Sequence, residues 1–409
     1  MKRKIALSIL ALLLLGAIGL FALAPGMAER SMNRIDGKEL IPVSNEAKAL
    51  HKTLTIVDLH SDTLLWKRSL NEETDRGQMD LPRLERGNVA LQVFSSVTKT
   101  PAGLNYDSNS ADARDDTTLL VFGQLQPMKT WFSLLERSLW HARKLDRAIA
   151  NDDWQILTKI ATASELDELV RERGDSKHWR RAPKGTKGIY QPPIGALLSI
   201  EGLHNLEGKR ENLDRLYAAG FRMAGIAHFF DNELAGSMHG VKKGGLTPFG
   251  REILTAMEDM GMIVDIAHCS HECVADILAM ARRPVVSSHG GVQATCDANR
   301  NLTDEEIRGL ARTGGVIGIG YWEGAVCDTS PRATARAMKH VRDLVGIDHV
   351  ALGSDYDGAV IVRFDTSLLV QVTQALVDEG FSEEEIRKVM GLNALRVLRA
   401  GLKPMVVAA

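Results

Sequence analysis

From Leu54 onward, short apolar runs rich in Val and Ile alternate with amphipathic stretches. In order they are Leu54–Leu59, Asn88–Ser95, Ile194–Ile200, Arg222–Ala227, Met262–Ala267, Pro284–Ser288, Gly315–Gly320 and His349–Ser354. They lack the apolar–polar alternation of a half-exposed sheet, which marks strands buried on both faces. Between them, Pro248–Met260, His271–Arg282, Thr303–Arg312 and Thr334–Val345 read as helices, the third opened by a Thr-Asp-Glu-Glu capping pattern. Eight strand–helix units predict an α/β fold, the closed (β/α)8 TIM barrel, with a doubly wound open sheet as the alternative.

The connection between the second and third runs, about residues 100–193, is out of scale. Its middle, Thr130–Arg173, sets Trp131, Leu134, Leu135, Leu139, Leu166, Leu169 and Val170 on helical spacings, and a basic stretch, His178–Pro193, comes after it. This large helical insertion is either a hairpin packing its own apolar residues or a lid, because βα connections open onto the catalytic face of a barrel.

At the N-terminus, Lys2-Arg3-Lys4 precedes an uncharged run from Ile5 to Ala24. A run of about 20 apolar residues just spans a bilayer, so residues 1–28 are a signal peptide or an N-terminal membrane anchor through residues 5–24. Gly26-Met27-Ala28 offers small residues to a signal peptidase, which tilts the expectation towards cleavage. The leading cations place the rest of the chain outside the cytoplasm, in the periplasm or cell envelope. The expected division is then a linker at 29–53, a catalytic barrel at 54–400 and a tail at 401–409.

Composition narrows the chemistry. The 409 residues suffice for one barrel with insertions, and 44% apolar with 25% charged residues is an ordinary globular balance. A net charge of −2 supplies no field to recruit nucleic acid, and 5% aromatics argue against base stacking. The four cysteines, Cys269, Cys273, Cys296 and Cys327, form no C-x-x-C, and free thiols are expected.

The polar residues at the strand ends carry the chemistry. The first strand runs out into His60-Ser61-Asp62, the third into Glu201, the fourth into His228, the fifth into His268, the sixth into His289 and the eighth into Asp355. Singly, each has a bland explanation, such as a helix cap or a satisfied core histidine. In a barrel these ends form one ring, where crowded carboxylates repel unless divalent cations neutralise them. Imidazole with carboxylate suits zinc, and less exclusively manganese, iron or cobalt. The inventory fits two ions sharing a carboxylate. Such a pair, about 3.5–4 Å apart, holds a hydroxide and polarises a carbonyl or phosphoryl oxygen, which implies hydrolysis.

These residues sit in a series of motifs: Val57-Asp58-Leu59-His60-Ser61-Asp62, Asp80-Leu81-Pro82-Arg83-Leu84, Ser199-Ile200-Glu201-Gly202, His228-Phe229-Phe230-Asp231-Asn232, Val264-Asp265-Ile266-Ala267-His268-Cys269-Ser270, Ser287-Ser288-His289, Asn299-Arg300-Asn301 and Gly353-Ser354-Asp355-Tyr356-Asp357-Gly358. In this order they resemble the membrane (renal) dipeptidases, two-zinc (β/α)8 barrels of the metal-dependent amidohydrolase superfamily. The resemblance implies two Zn2+ per chain, His60 and Asp62 on one, His268 and His289 on the other, and Glu201 bridging. It implies Asp355 as acid/base, His228 as the group stabilising the tetrahedral oxyanion, and Arg300 as the clamp on the substrate carboxylate. The implied substrate is a dipeptide, including ones with a D-residue at the carboxyl end, and homodimers are frequent among such enzymes. Asp58, deeper on the strand of His60, is a candidate to orient a ligand, while His204, His239 and His271 lie off the strand ends. A lactonase, phosphotriesterase or deaminase of the superfamily is the alternative, although those usually begin with H-x-H.

Overall fold

Eight short strands run parallel, each bonded to the next, and the last returns to the first. They are β1 (Ile56–Asp58), β2 (Val89–Phe94), β3 (Ile194–Ile200), β4 (Phe221–Gly225), β5 (Ile263–Asp265), β6 (Val286–Gly290), β7 (Val316–Ile319) and β8 (Val350–Leu352). The barrel closes where Asp58 of β1 meets Leu352 of β8. The computed structural model describes residues 2–181 and 190–403. Most of the basic stretch after Arg181, residues 404–409 of the tail and most side chains of residues 6–20 lie outside the described residues.

Every strand residue except Arg222 is buried, which is why the sequence shows apolar runs rather than alternation. Neighbouring residues on a strand still divide between two cores, as a two-residue period requires. Val57, Leu91, Val93, Leu197, Met223 and Val316 join the C-terminal helix Asn393–Gly401, through Ala394, Leu395 and Leu398, in an inner cluster. Ile56, Ala196, Leu198, Ala224 and Ile317 belong to the larger cluster with the outer helices.

The insertion is helical where the spacing predicts it, at Leu134–Ala150 and Ala163–Gly174. Between them lies a strand that the spacing does not predict, Leu157–Lys159. It pairs in parallel with the first half of β3, Leu157 opposite Ile194 and Lys159 opposite Ala196, whereas β4 begins pairing with β3 only at Leu198. Buried Arg137 ties the insertion together and to the segment after β2, bonding the carboxylate of Asp115 at 2.5 Å, the carbonyl of Thr130 at 2.7 Å and the carbonyl of Thr98 at 2.5 Å.

The N-terminal helix spans Lys2–Met32. Among the described residues, no helix is long and apolar enough to cross a membrane. The stretch expected as a linker, 29–53, is instead packed against the barrel. Ser44 caps a helix, Asn45–His51, and the backbone N–H groups of Ile41 and Ser44 donate to Gln371 and Gln374. His51 is buried on Thr373, 2.8 Å from its hydroxyl.

The cysteines require a correction. Cys296 and Cys327 form a disulfide, while Cys269 and Cys273 remain free and buried. Cys296 lies in the loop after β6 and Cys327 after β7, so two adjacent strands deliver to one place residues that the sequence separates by 31 positions. A loop of that length predicts that Cys296→Ser loses about 3–4 kcal/mol of stability, read from urea unfolding with and without reductant. Burial lowers the pKa of His51 from 6.5 to about 4, so the folded state binds fewer protons than the unfolded chain between these values. Stability is therefore full above about pH 6.5 and falls as pH drops towards 4, by up to about 3 kcal/mol from this group. His51→Gln is expected to flatten that limb of the stability profile.

Candidate metal centre

The strand ends deliver the expected side chains to one place. Asp58, at the end of β1, accepts the backbone N–H groups of both His60 and Ser354 at 3.1 Å, and so pins the exits of β1 and β8 together. Asp58 therefore orients backbone rather than an imidazole. His268, with φ +65°, and Asp355, with φ +57°, turn off their strands through left-handed backbone that non-glycine residues seldom adopt.

One atom organises the cluster. Oε1 of Glu201 lies 2.9 Å from Nε2 of His268, 3.3 Å from that of His289, 3.5 Å from that of His228 and 3.7 Å from that of His60. Nε2 of His60 is also 3.7 Å from Asp62 and 3.9 Å from Asp355. All these residues are buried. Every expected metal ligand, with His228 and Asp355, is thus in a single constellation.

Its electrostatics are those of a site built around positive charge. Burial alone lowers His60, but Glu201 and Asp62 outweigh it and push the imidazole up to about 10. Burial and then Glu201 raise Asp62 to about 6. Burial pushes Asp355 well above the usual carboxylate range, opposed by His60 and reinforced by Asp62 and Glu201. Burial holds His268 and His289 well below the usual imidazole range, leaving neutral nitrogens available as ligands. Nε2 of His60, Oδ1 of Asp62 and Oε2 of Glu201 are buried without a hydrogen-bond partner. Such orphaned polar atoms are costly unless a cation takes them. Candidate ligand atoms lie within 4.8 Å of one another in three groups: His60, Glu201 and His289; Glu201, His228 and His268; and His60, Asp62 and Asp355. The residues fit divalent metal, and Glu201 is common to two groups.

Behind the imidazoles stand two residues to which the sequence assigns no role. The Ser288 hydroxyl donates to Asp265 at 2.5 Å and lies 2.9 Å from Nδ1 of His289 and 3.3 Å from Nδ1 of His60. Asp265 also accepts the N–H groups of Ala267 and Ser288. This polar pair orients two imidazoles from their far sides. The acidic residue near the end of β5 is the one signal the sequence offers, but its partner sits on another strand.

A cavity of about 770 Å³ opens over the cluster. Buried Arg300 reaches into it, its guanidinium 4.6 Å above the Trp322 ring and its Nη1 unpartnered. Among the described residues it pairs with neither Asp297 nor Asp304, the latter being bonded to His340 at 2.7 Å. His204 and His239 are buried on Thr98 and on the Tyr106 carbonyl, and exposed His271 pairs with Glu306. The cavity wall takes residues from Val97 to Gly123, including Tyr106, and none from the described part of Thr130–Pro193. The wall role thus falls to the start of the insertion, not to the helices to which the lid idea assigned it.

A closed parallel barrel with imidazoles and carboxylates gathered at its strand ends defines the class as a metal-dependent amidohydrolase barrel. Comparison with known proteins makes this specific: the chain belongs to the membrane dipeptidase family, peptidase family M19, whose model matches residues 44–403. It is 28% identical over 391 residues to Dipeptidase aclJ of Aspergillus oryzae (strain ATCC 42149 / RIB 40), covering 88% of this chain and 83% of that one. It is 32% identical over 267 residues to Dipeptidase verJ of Clonostachys rogersoniana, covering 62% and 69%. The fold matches that of a metallo peptidase from Rhodobacter sphaeroides solved with a phosphinate mimic of the dipeptide L-Ala-D-Ala, with a TM-score of 0.64, 20% identity and coverage of 85% and 99%. It also matches the probable dipeptidase PvdM from Pseudomonas aeruginosa, with a TM-score of 0.68, 19% identity and coverage of 87% and 97%.

Ser288→Ala leaves every ligand in place but removes the support on two ring nitrogens. Its metal affinity is expected to fall about 10- to 100-fold, measured by competition with a chromogenic chelator.

Proposed function

We propose that this protein is a two-zinc exopeptidase that hydrolyses dipeptides outside the cytoplasm, including dipeptides with a D-residue at the carboxyl end. The observation that carries it is the Glu201 oxygen shared by four imidazoles, beside a buried arginine whose Nη1 has no partner among the described residues. His60 and Asp62 would hold one ion, His268 and His289 the other, and Glu201 both. When bound, the two ions supply an activated water and a Lewis acid for the scissile carbonyl.

The chain's own groups do the rest. Asp355, with its raised proton affinity, takes the proton of the attacking water and hands it to the leaving amine. Neutral His228 hydrogen-bonds the oxyanion that develops on the carbonyl oxygen. Arg300, steadied by Trp322, binds the terminal carboxylate and fixes substrate length. Acceptance of a D-residue is supported by the L-Ala-D-Ala mimic held by the Rhodobacter sphaeroides relative in fold. The basic and apolar N-terminus supports export, with the chain attached to the membrane through residues 5–24 or released from it. Homodimer formation belongs to the same proposal.

Purified enzyme is expected to release free amino acids from L-Ala-L-Ala and L-Ala-D-Ala, to lose this on chelation, and to regain it with zinc. Glu201→Gln should drop kcat more than about 100-fold, and Arg300→Ala should raise KM about 10- to 100-fold, the worth of a charged hydrogen bond. Full activity in metal-depleted enzyme, or hydrolysis of neither dipeptide, would refute the proposal.

A further inference from the structure

Asp355, Asp357 and Ala359 adopt φ of 57°, 64° and 62°, three non-glycine residues in left-handed backbone within one loop. Such backbone is strained for a non-glycine residue, and a run of such residues persists only where the surroundings impose it. A Cβ on Gly358, between them, would displace the Asp355 carboxylate. The loop that aims Asp355 is therefore held by something outside itself.

Part of the hold comes from the segment after β1, where Trp66 donates to the Asp357 carbonyl at 2.7 Å and Gln78 accepts the Asp357 N–H at 2.8 Å, and part comes from the N-terminal helix. The buried Asp357 carboxylate accepts the Gln78 N–H and the Thr63 hydroxyl at 2.7 Å each and receives the Arg68 guanidinium. Arg68 is aimed by Glu29: its Nε donates to Oε1 at 2.6 Å, and Arg76 donates to Oε2 at 2.8 Å. Glu29 lies in the last turn of the N-terminal helix and is only 1% exposed. Just beyond it, Asn33 accepts the Ala359 N–H at 2.8 Å, and Val362 exchanges backbone bonds with Arg34 and Asp36. Asp80 lies 3.8 Å from Nη1 of Arg68, so without Glu29 the guanidinium has a competing partner, and when it turns away the Asp357 carboxylate keeps only Thr63 and Gln78.

We infer that Glu29 is a positioning residue for Asp355, acting through Arg68 and Asp357. The inference rests on Asp355 serving as the acid/base of the proposed reaction. Phe21, Pro25 and Ala28 of the same helix line the cavity. The N-terminal helix thus also supplies part of the cavity wall.

The test uses full-length wild type, Glu29→Gln, Glu29→Asp, Asn33→Ala and, on the exposed face of the same helix, Arg30→Ala. Steady-state kinetics on a dipeptide, zinc content and hydrogen exchange of the amides from Ala359 to Val362 are measured together. Glu29→Gln should lower kcat about 10- to 100-fold with KM within about threefold, as a displaced catalytic group does. Zinc content should hold, exchange in the loop should quicken, and Glu29→Asp should recover part of the rate. Asn33→Ala should quicken exchange at Ala359 with a smaller loss of kcat, and it carries the test if Glu29→Gln fails to fold. Arg30→Ala should match wild type. Unchanged kcat and unchanged exchange in the Glu29 and Asn33 variants would overturn the inference. If wild type cleaves no dipeptide, the proposed reaction fails while the exchange data still decide whether the brace exists.

Discussion

The molecule is organised around a single carboxylate oxygen that four imidazoles approach within 3.7 Å, all of them buried from bulk water. No arrangement of protons alone satisfies such a cluster: too few leave carboxylates opposed, and too many set imidazolium rings against each other. The fold tolerates it because closure of the barrel fixes the strand ends rigidly, so that repulsion cannot spread the ligands apart. The cost is recovered when cations enter, which couples folding to metal uptake.

Around that centre the supporting groups differ in kind. Asp58 and Asp265 act on backbone N–H groups, holding the strand exits in register, whereas Ser288 touches imidazole rings. Among the described residues, Arg300 rests on an aromatic face instead of a carboxylate. The disulfide joins the loop of Arg300 to the one after Trp322.

Much of this is legible in the sequence for a physical reason. A strand buried on both faces must be apolar throughout, so an acid or imidazole at its end stands out, and His60, Glu201, His268 and His289 are recognisable that way. The fold class comes from the number of such strands. The features that escape depend on partners arriving from elsewhere in space. Ser288 gains its role from a carboxylate on the neighbouring strand, and Cys296 finds Cys327 only because their loops leave adjacent strands. The part of the insertion over the cavity, Val97 to Gly123, has no periodicity to announce it, while the more regular Leu134–Ala150 packs on the outer wall. Glu29 reads as the first charge after an apolar leader, and nothing near it in sequence foretells Arg68 and Arg76.

The strand Leu157–Lys159 completes β3 along the stretch that β4 does not reach. Without it, the first three residues of β3 would present a bare row of amides and carbonyls at the floor of the barrel. Open edges of that kind recruit strands from other chains. By filling the gap from within its own insertion, the protein removes a template for aggregation, which keeps the longest strand of the barrel safe at high local concentration.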